Sequence, residues 1–282
     1  MEVGLGSINP HAIEIGSFVI HWYGVIIAAA IVLAIHLSTR EAKKKGLEED
    51  IIIDMALWAI PIGFIGARLY YVLFELDYYL QNPGEIVAIW NGGIAIYGGL
   101  IAGGLTLYWY TNKKGVSLSL LLDILAPNVL LAQAIGRWGN FINQEAHGGP
   151  VSYAFLEKLY LPKFIIEQMN IKGTYYHPTF LYESLWSVVG FGLIILLRNR
   201  KNMLRQGEVA LSYVLWYSVG RFFIEGMRTD SLWIGDFMRV SQALSLVLFI
   251  GAIFIWYLRR QDYPPIPYYS KDRETTKLRS LV

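Results

Sequence analysis

Residues 136–149 read Gly-Arg-Trp-Gly-Asn-Phe-Ile-Asn-Gln-Glu-Ala-His-Gly-Gly. Arg137, Asn140, Asn143 and Glu145 place a fixed cation, two amides and a carboxylate within nine residues, at the end of a long apolar run. A second group, Tyr217, Arg221, Glu225 and Arg228, recurs at i, i+4, i+8 and i+11, which puts all four on one face of a helix. Arginine offers a planar fork of donors that matches phosphate oxygens. The chemistry these residues suggest is the binding of an anion.

An arginine inside an apolar span costs about 2.5–3.5 kcal/mol on insertion scales, so such residues face a polar interior. Arg68, within Gly66-Ala67-Arg68, is a third candidate. For any one arginine, snorkelling or a structural pair such as Arg221 with Glu225 is an equal explanation. Several arginines near one membrane surface favour an anion site, and lipid headgroups supply phosphate at that depth. Polar groups expected at the same level are His21 and Tyr23, Tyr97, and the segment His177-Pro178 with Tyr182-Glu183. Taken singly, His21, Tyr23 and His177 also serve as interfacial anchors. Gly98, Gly99, Gly103 and Gly104 fit close helix packing, whereas Gly139, Gly148 and Gly149 suit backbone turns beside a ligand. The histidines are dispersed and no carboxylates sit at ligating spacings, so no metal site is expected. A phosphate loop and a dinucleotide fingerprint are missing, and no cofactor is implied.

These groups need elements to hold them, and the apolar runs supply seven: about 18–38, 51–74, 93–110, 118–138, 178–197, 209–226 and 240–258. Crossing a bilayer takes roughly 20 residues per helix. Residues 140–176 are the longest connection and predict a small extramembrane subdomain, preceded by a short loop at 75–84. Residues 1–17 predict an interfacial arm, and the proline-bearing tail from 263 to 282 predicts a polar, disordered end. Most of the 24 Lys and Arg lie after runs one, three, five and seven. The positive-inside rule then puts the N-terminus outside, the C-terminus in the cytoplasm and the subdomain outside. The reading is an all-α polytopic membrane protein with a seven-helix domain over 1–262.

Composition agrees. The 282 residues are 55% hydrophobic and 16% charged, against about 25% charge in soluble domains. Nine Trp and nineteen Tyr fit interfacial belts. A net charge of +2 without a compact basic motif gives no reason to expect nucleic acid. The start of the chain lacks the basic region of a signal peptide, so the first run is expected to be retained. With no cysteine, disulfides and a Cys nucleophile are excluded. Any thiol in the chemistry comes from a substrate.

The 136–148 stretch, with its Gly-Arg-x-Gly-Asn-Phe-x-Asn-x-Glu pattern closing on Gly148, resembles the signature of the bacterial phosphatidylglycerol–prolipoprotein diacylglyceryl transferase family. The resemblance extends to His21-Trp22-Tyr23-Gly24, Gly66-Ala67-Arg68, Gly92–Gly99, His177-Pro178, Tyr182-Glu183 and Arg221–Glu225 with Arg228. It implies transfer of diacylglyceryl from phosphatidylglycerol to the lipobox cysteine of a preprolipoprotein signal peptide, in the bacterial cytoplasmic (inner) membrane, at its extracytoplasmic leaflet. It implies Arg137 and Arg221 as essential, and Tyr23, Asn140, Gly148, Tyr217, Glu225 and Arg228 as further functional positions. Together with the residue reading, the expected catalytic set is Arg137, Arg221, Tyr97, Glu145 and Asn140. His21, Asn143 and Glu183 join the arginines in holding phosphatidylglycerol. Where many members carry a histidine proposed as base, this chain has Tyr97. A phenol with an ordinary pKa of about 10 is a weak base at neutral pH, so Glu145 is expected to share the proton transfer. The alternative is a transporter or channel for an anionic solute, lined by the same arginines.

Overall fold

The β1 strand (His11–Ile15) pairs antiparallel with β2 (Phe18–His21), and this hairpin leads into helix α1 (Trp22–Lys44). The computed structural model describes residues 8–16, 18–229, 231–235 and 237–270. Residues 1–7 of the expected arm and 271–282 of the expected tail lie outside the described residues. Two compact units share the described residues, one formed within 37–121 and the other within 8–36 with 122–270.

The first unit is built on α2 (Ile51–Phe74) and α4 (Ile96–Lys114), joined by α3 (Leu76–Gln81) and two 3-10 turns, Pro83–Val87 and Ile89–Asn91. The connection expected as a short loop is therefore longer and partly helical. It is held by Arg68, whose Nε donates to Ile86 O at 2.9 Å, Nη2 to Glu85 O at 2.6 Å, and Nη1 to Gly92 O and Gly93 O at 2.7 Å. The two long helices approach to backbone contact: a Cβ on Gly98 would lie 2.3 Å from Gly66 O. This is the close packing that small residues permit between helices in lipid.

In the second unit, α5 (Leu118–Asn143) includes the first eight residues of the signature stretch and ends five residues beyond the expected end of the run. Its last carbonyls would be orphans, but the buried Gln168 side chain donates to Phe141 O and Ile142 O, both at 3.1 Å. The following subdomain contains β3 (Pro150–Val151), α6 (Tyr153–Lys158), α7 (Lys163–Gln168), β4 (Asn170–Ile171) and β5 (Thr174–Tyr176), with strand order β3-β5-β4. Leu156, Ile165, Ile166 and Met169 form its core on Phe141 and Phe180. Burial of this aromatic end is what carries the helix through two glycines and two asparagines.

The chain continues as α8 (Thr179–Asn199), α9 (Glu208–Glu225), the β6 (Trp233–Ile234) and β7 (Met238–Arg239) hairpin, and α10 (Val240–Gln261). Trp186 and Trp216 stack with centroids 4.3 Å apart, each facing a glycine of the other helix, Gly220 and Gly190. The expected disorder does not extend to residues 263–270. Gln206 N donates to Pro267 O, Tyr269 N donates to Leu204 O, and Tyr269 is buried.

Among the described residues, seven helices of 18 to 26 residues thus coincide with the seven apolar runs. Five of them, α1, α2, α5, α8 and α10, are long and apolar enough to cross a membrane. The chain is mainly helical, and no described strand exceeds five residues. These short ladders were not expected of an all-α chain, and they pair backbone groups between helices.

Candidate active site

Arg137 lies near the C-terminal end of α5, six residues before the helix ends. Its Nη2 meets Glu183 Oε2 at 2.5 Å, and its Nη1 donates to Asn140 Oδ1 at 3.4 Å, one turn further along. Asn140 passes the contact on: its Nδ2 donates to Glu145 Oε1 at 2.8 Å, and Asn143 Nδ2 reaches the same oxygen at 3.4 Å. Glu145 is exposed and held at its position by the turn, because its own N–H donates to Asn140 O. The helical continuation thus puts Arg137 and Asn140 on one face and folds Glu145 back onto it.

Arg221 and Glu225 occupy successive turns of α9, with Arg221 Nη2 2.6 Å from Glu225 Oε2. Glu183, in the second turn of α8, collects the arginines: Arg221 Nη1 is 3.7 Å and Arg228 Nη1 3.9 Å from its Oε1. Three guanidinium groups from α5, α9 and the segment after α9 therefore surround one carboxylate. Set against Glu183 and Glu225, Arg137, Arg221 and Arg228 leave one positive charge in excess. Arg221 Nη1 is buried and has no hydrogen-bond partner among the described residues. A buried donor of this kind has an unmet need for an acceptor, and a phosphate oxygen meets it with a charge-assisted bond.

Backbone pairing fixes Arg228. Gly148 and Arg228 form an antiparallel bridge, while Gly148 N donates to His177 O and His177 N to Gly149 O. A Cβ on Gly148 would lie 2.6 Å from His177 Cβ and 3.2 Å from Met227 O, so glycine is required by space. Thr179 Oγ1 donates to Ala146 O at 2.7 Å and ties the signature turn to the start of α8. His177 is half-buried near Phe155 and Tyr182, and burial holds its imidazole below the ordinary histidine pKa.

The remaining expected residues are placed as follows. Tyr23, in the first turn of α1, lies over Gly139, where an added Cβ would come within 2.6 Å of its ring. Tyr217 stacks on Tyr213 one turn before Arg221. His21 is exposed and packs edge-on against His11 at 4.9 Å. Tyr97 opens α4 in the other unit and is 38% exposed. Arg68, also in that unit, is committed to backbone carbonyls and is a structural residue. Among the described residues no group of three His, Asp or Glu could hold a metal ion.

Sequence reasoning overlooked Arg239. It stands just before α10, 5.0 Å from the Trp233 ring, and its Nη1 donates to the backbone carbonyl of Glu225. Its one signal was a cation at the start of an apolar run. Reasoning from sequence also gave Glu183 no special rank among the binding residues, because its three partners lie far from it in the chain.

The family pattern described as prolipoprotein diacylglyceryl transferase matches residues 10–258. The chain is 56% identical over 258 residues to a Lactobacillus acidophilus protein named phosphatidylglycerol--prolipoprotein diacylglyceryl transferase, covering 92% of each chain. Proteins of the same name from Listeria monocytogenes serovar 1/2a and Listeria innocua serovar 6a are 56% and 57% identical over 273 residues, 97% of each chain. The chain belongs to the prolipoprotein diacylglyceryl transferase family.

Proposed function

We propose that this member of the family transfers diacylglyceryl from phosphatidylglycerol to the thiol of a lipobox cysteine in a preprolipoprotein signal peptide. The observation that carries the reading is the convergence of Arg137, Arg221 and Arg228 on Glu183, with Arg221 Nη1 buried and without a hydrogen-bond partner among the described residues. The guanidinium forks of these arginines complement the oxygens of a phosphodiester.

In the reaction the cysteine sulfur forms a bond to the glyceryl carbon, and the bond from that carbon to the phosphate oxygen breaks. The electron pair leaves with glycerol-1-phosphate, and the thiol proton passes to a base. A free thiol has a pKa near 8.5, so removing this proton assists attack. Charge grows on the departing phosphate, where Arg137 and Arg221 stabilise it in a site screened from water. Asn140 orients both Arg137 and Glu145, Asn143 supports Glu145, and Gly148 and Arg228 close the site beside it. Glu183 and Glu225 are the counter-ions that hold the arginines together until lipid binds. Tyr23, Tyr217 and His21 line the approach of lipid, and Tyr97 and Glu145 are the candidates for the proton transfer.

The chain has seven spans, with the N-terminus outside, the C-terminus in the cytoplasm and the 140–176 subdomain at the outer surface of the cytoplasmic membrane. The lysines and arginines that follow α1, α4, α8 and α10 support this orientation. The subdomain stands where protein substrate arrives.

Purified protein in phosphatidylglycerol liposomes, given a lipobox peptide and its Cys→Ser counterpart, tests the proposal through glycerol-phosphate release. Release is expected only with the thiol and is expected to be lost in Arg137→Ala. Folded, lipid-bound protein that releases nothing would overturn the transferase reading and favour an anion transporter.

A further inference from the structure

At the opposite end of α5 from Arg137, Asp123 is fully buried. Its Oδ2 accepts from Gly207 N at 2.5 Å and its Oδ1 from Ala210 N at 2.8 Å. The first is the N–H of the N-cap residue and the second that of the third residue of α9, a helix without a side-chain cap of its own. Such groups need acceptors, and here a different helix supplies them. The neighbouring contacts hold the same turn: Glu208, also fully buried, accepts from Arg205 N at 2.7 Å and pairs with Arg260 at 2.5 and 2.6 Å.

The spacing gives this cap a further meaning. Arg137 follows Asp123 by fourteen residues, and Arg221 follows Gly207 by fourteen. At 1.5 Å per residue both stretches rise about 21 Å. The two helices run in the same direction, tied at one end by Asp123 and meeting at the other on Glu183. Between the ends, Gln133 Nε2 donates to Tyr213 OH at 3.0 Å.

We propose that Asp123 is a positioning residue for the transferase site: by capping α9 from α5 it sets the height at which Arg221 stands beside Arg137. The inference rests on the proposed function for its activity readout. Height matters because the two guanidinium groups must reach one phosphate, and a misplacement of about 1 Å costs on the order of a hundredfold in rate. A carboxylate at 123 acts here through hydrogen bonds to two N–H groups. Asparagine, also a good cap residue, keeps part of that function, whereas alanine keeps none.

The test uses the full chain in phosphatidylglycerol liposomes. Because the protein has no cysteine, Phe223→Cys on α9 and Tyr160→Cys on the subdomain accept spin labels without background, and both sites are exposed. In this double variant, adding Asp123→Ala is expected to shift or broaden the label-to-label distance distribution, and Asp123→Asn is expected to leave it narrow. In the unlabelled protein, Asp123→Ala should lower kcat at least tenfold, with KM for phosphatidylglycerol within about threefold, and Asp123→Asn should retain a third or more of kcat. An alanine variant with an unchanged distribution would overturn the proposal, as would unchanged kcat. If the alanine variant does not fold, the asparagine variant decides: a narrow distribution with retained kcat supports the cap, and a tenfold loss of kcat with that distribution unchanged overturns it. Should the wild-type protein show no transfer, the proposed function fails, and the distance measurement still decides whether Asp123 sets the height of α9.

Discussion

Trp186 and Trp216 are bound to each other reciprocally: Trp186 Nε1 donates to Trp216 O at 3.0 Å, and Trp216 Nε1 donates to Trp186 O at 2.9 Å. The rings stack, and each lies over a glycine of the facing helix, Gly220 or Gly190. An indole N–H in an apolar region needs an acceptor, and breaking into the helix ladder of a neighbour supplies one. The pair fixes the register between α8 and α9, three residues from Glu183 on one helix and five from Arg221 on the other.

That register predicts the effect of a single methyl group. A Cβ on Gly220 would lie 2.2 Å from Trp186 Nε1, and one on Gly190 would lie 2.2 Å from Trp216 Nε1. Gly220→Ala should destabilise the protein by about 1–3 kcal/mol, the usual cost of overpacking. Thermal unfolding in detergent, compared with Gly192→Ala where space is open, measures it. Equal melting temperatures for the two variants would contradict the packing described.

Arg221 should not be replaceable by lysine. Its Nη2 engages Glu225 while Nη1, 3.7 Å from Glu183 Oε1, has no hydrogen-bond partner among the described residues, and a single ammonium cannot serve both positions. Arg221→Lys is expected to lower kcat on the order of 10²–10³-fold, the scale for loss of one charge-stabilising contact. Steady-state kinetics with phosphatidylglycerol decide it, and near-wild-type kcat would remove Arg221 from the reaction.

Glu183→Ala leaves three arginines facing one another without their shared carboxylate. Removing one partner of a buried pair costs about 3–5 kcal/mol, so the variant should lose stability as well as activity. Glu183→Gln keeps the volume and one acceptor and should fall between. Unfolding curves and transfer assays on both variants read the order, and an alanine variant as stable as wild type would refute the counter-ion role.

Arg68 is expected to behave differently from Arg137. Arg68→Ala strands the carbonyls of Glu85, Ile86, Gly92 and Gly93, so limited proteolysis should cut within 83–93. Arg137→Ala should lose transfer and keep that segment resistant. The same cleavage pattern in both variants would blur the distinction between a structural and a catalytic arginine.

Two single variants address the base. Tyr97→Phe and Glu145→Gln each remove one candidate, and a loss of kcat that eases as the pH rises is expected where the proton acceptor has gone. Full activity across the pH range in both would exclude both residues.

The signature from Gly136 to Gly148 and the face carrying Arg221 and Glu225 were legible in the sequence, because a local pattern sets which residues share a turn. The seven long helices were legible for a related reason: an apolar run of about 20 residues is a property of the chain itself. What each arginine does was not. Arg68 and Arg221 are the same residue type in similar apolar surroundings, yet one is spent on carbonyls 17 to 25 residues away and the other pairs with carboxylates and keeps a donor without a hydrogen bond among the described residues. Asp123 gave no signal, since its partner Ala210 lies 87 residues further along. Local spacing determined the helices and the candidate chemistry. Only the tertiary structure decided which polar groups are already satisfied, because hydrogen-bond partners distant in sequence meet only once the helices pack.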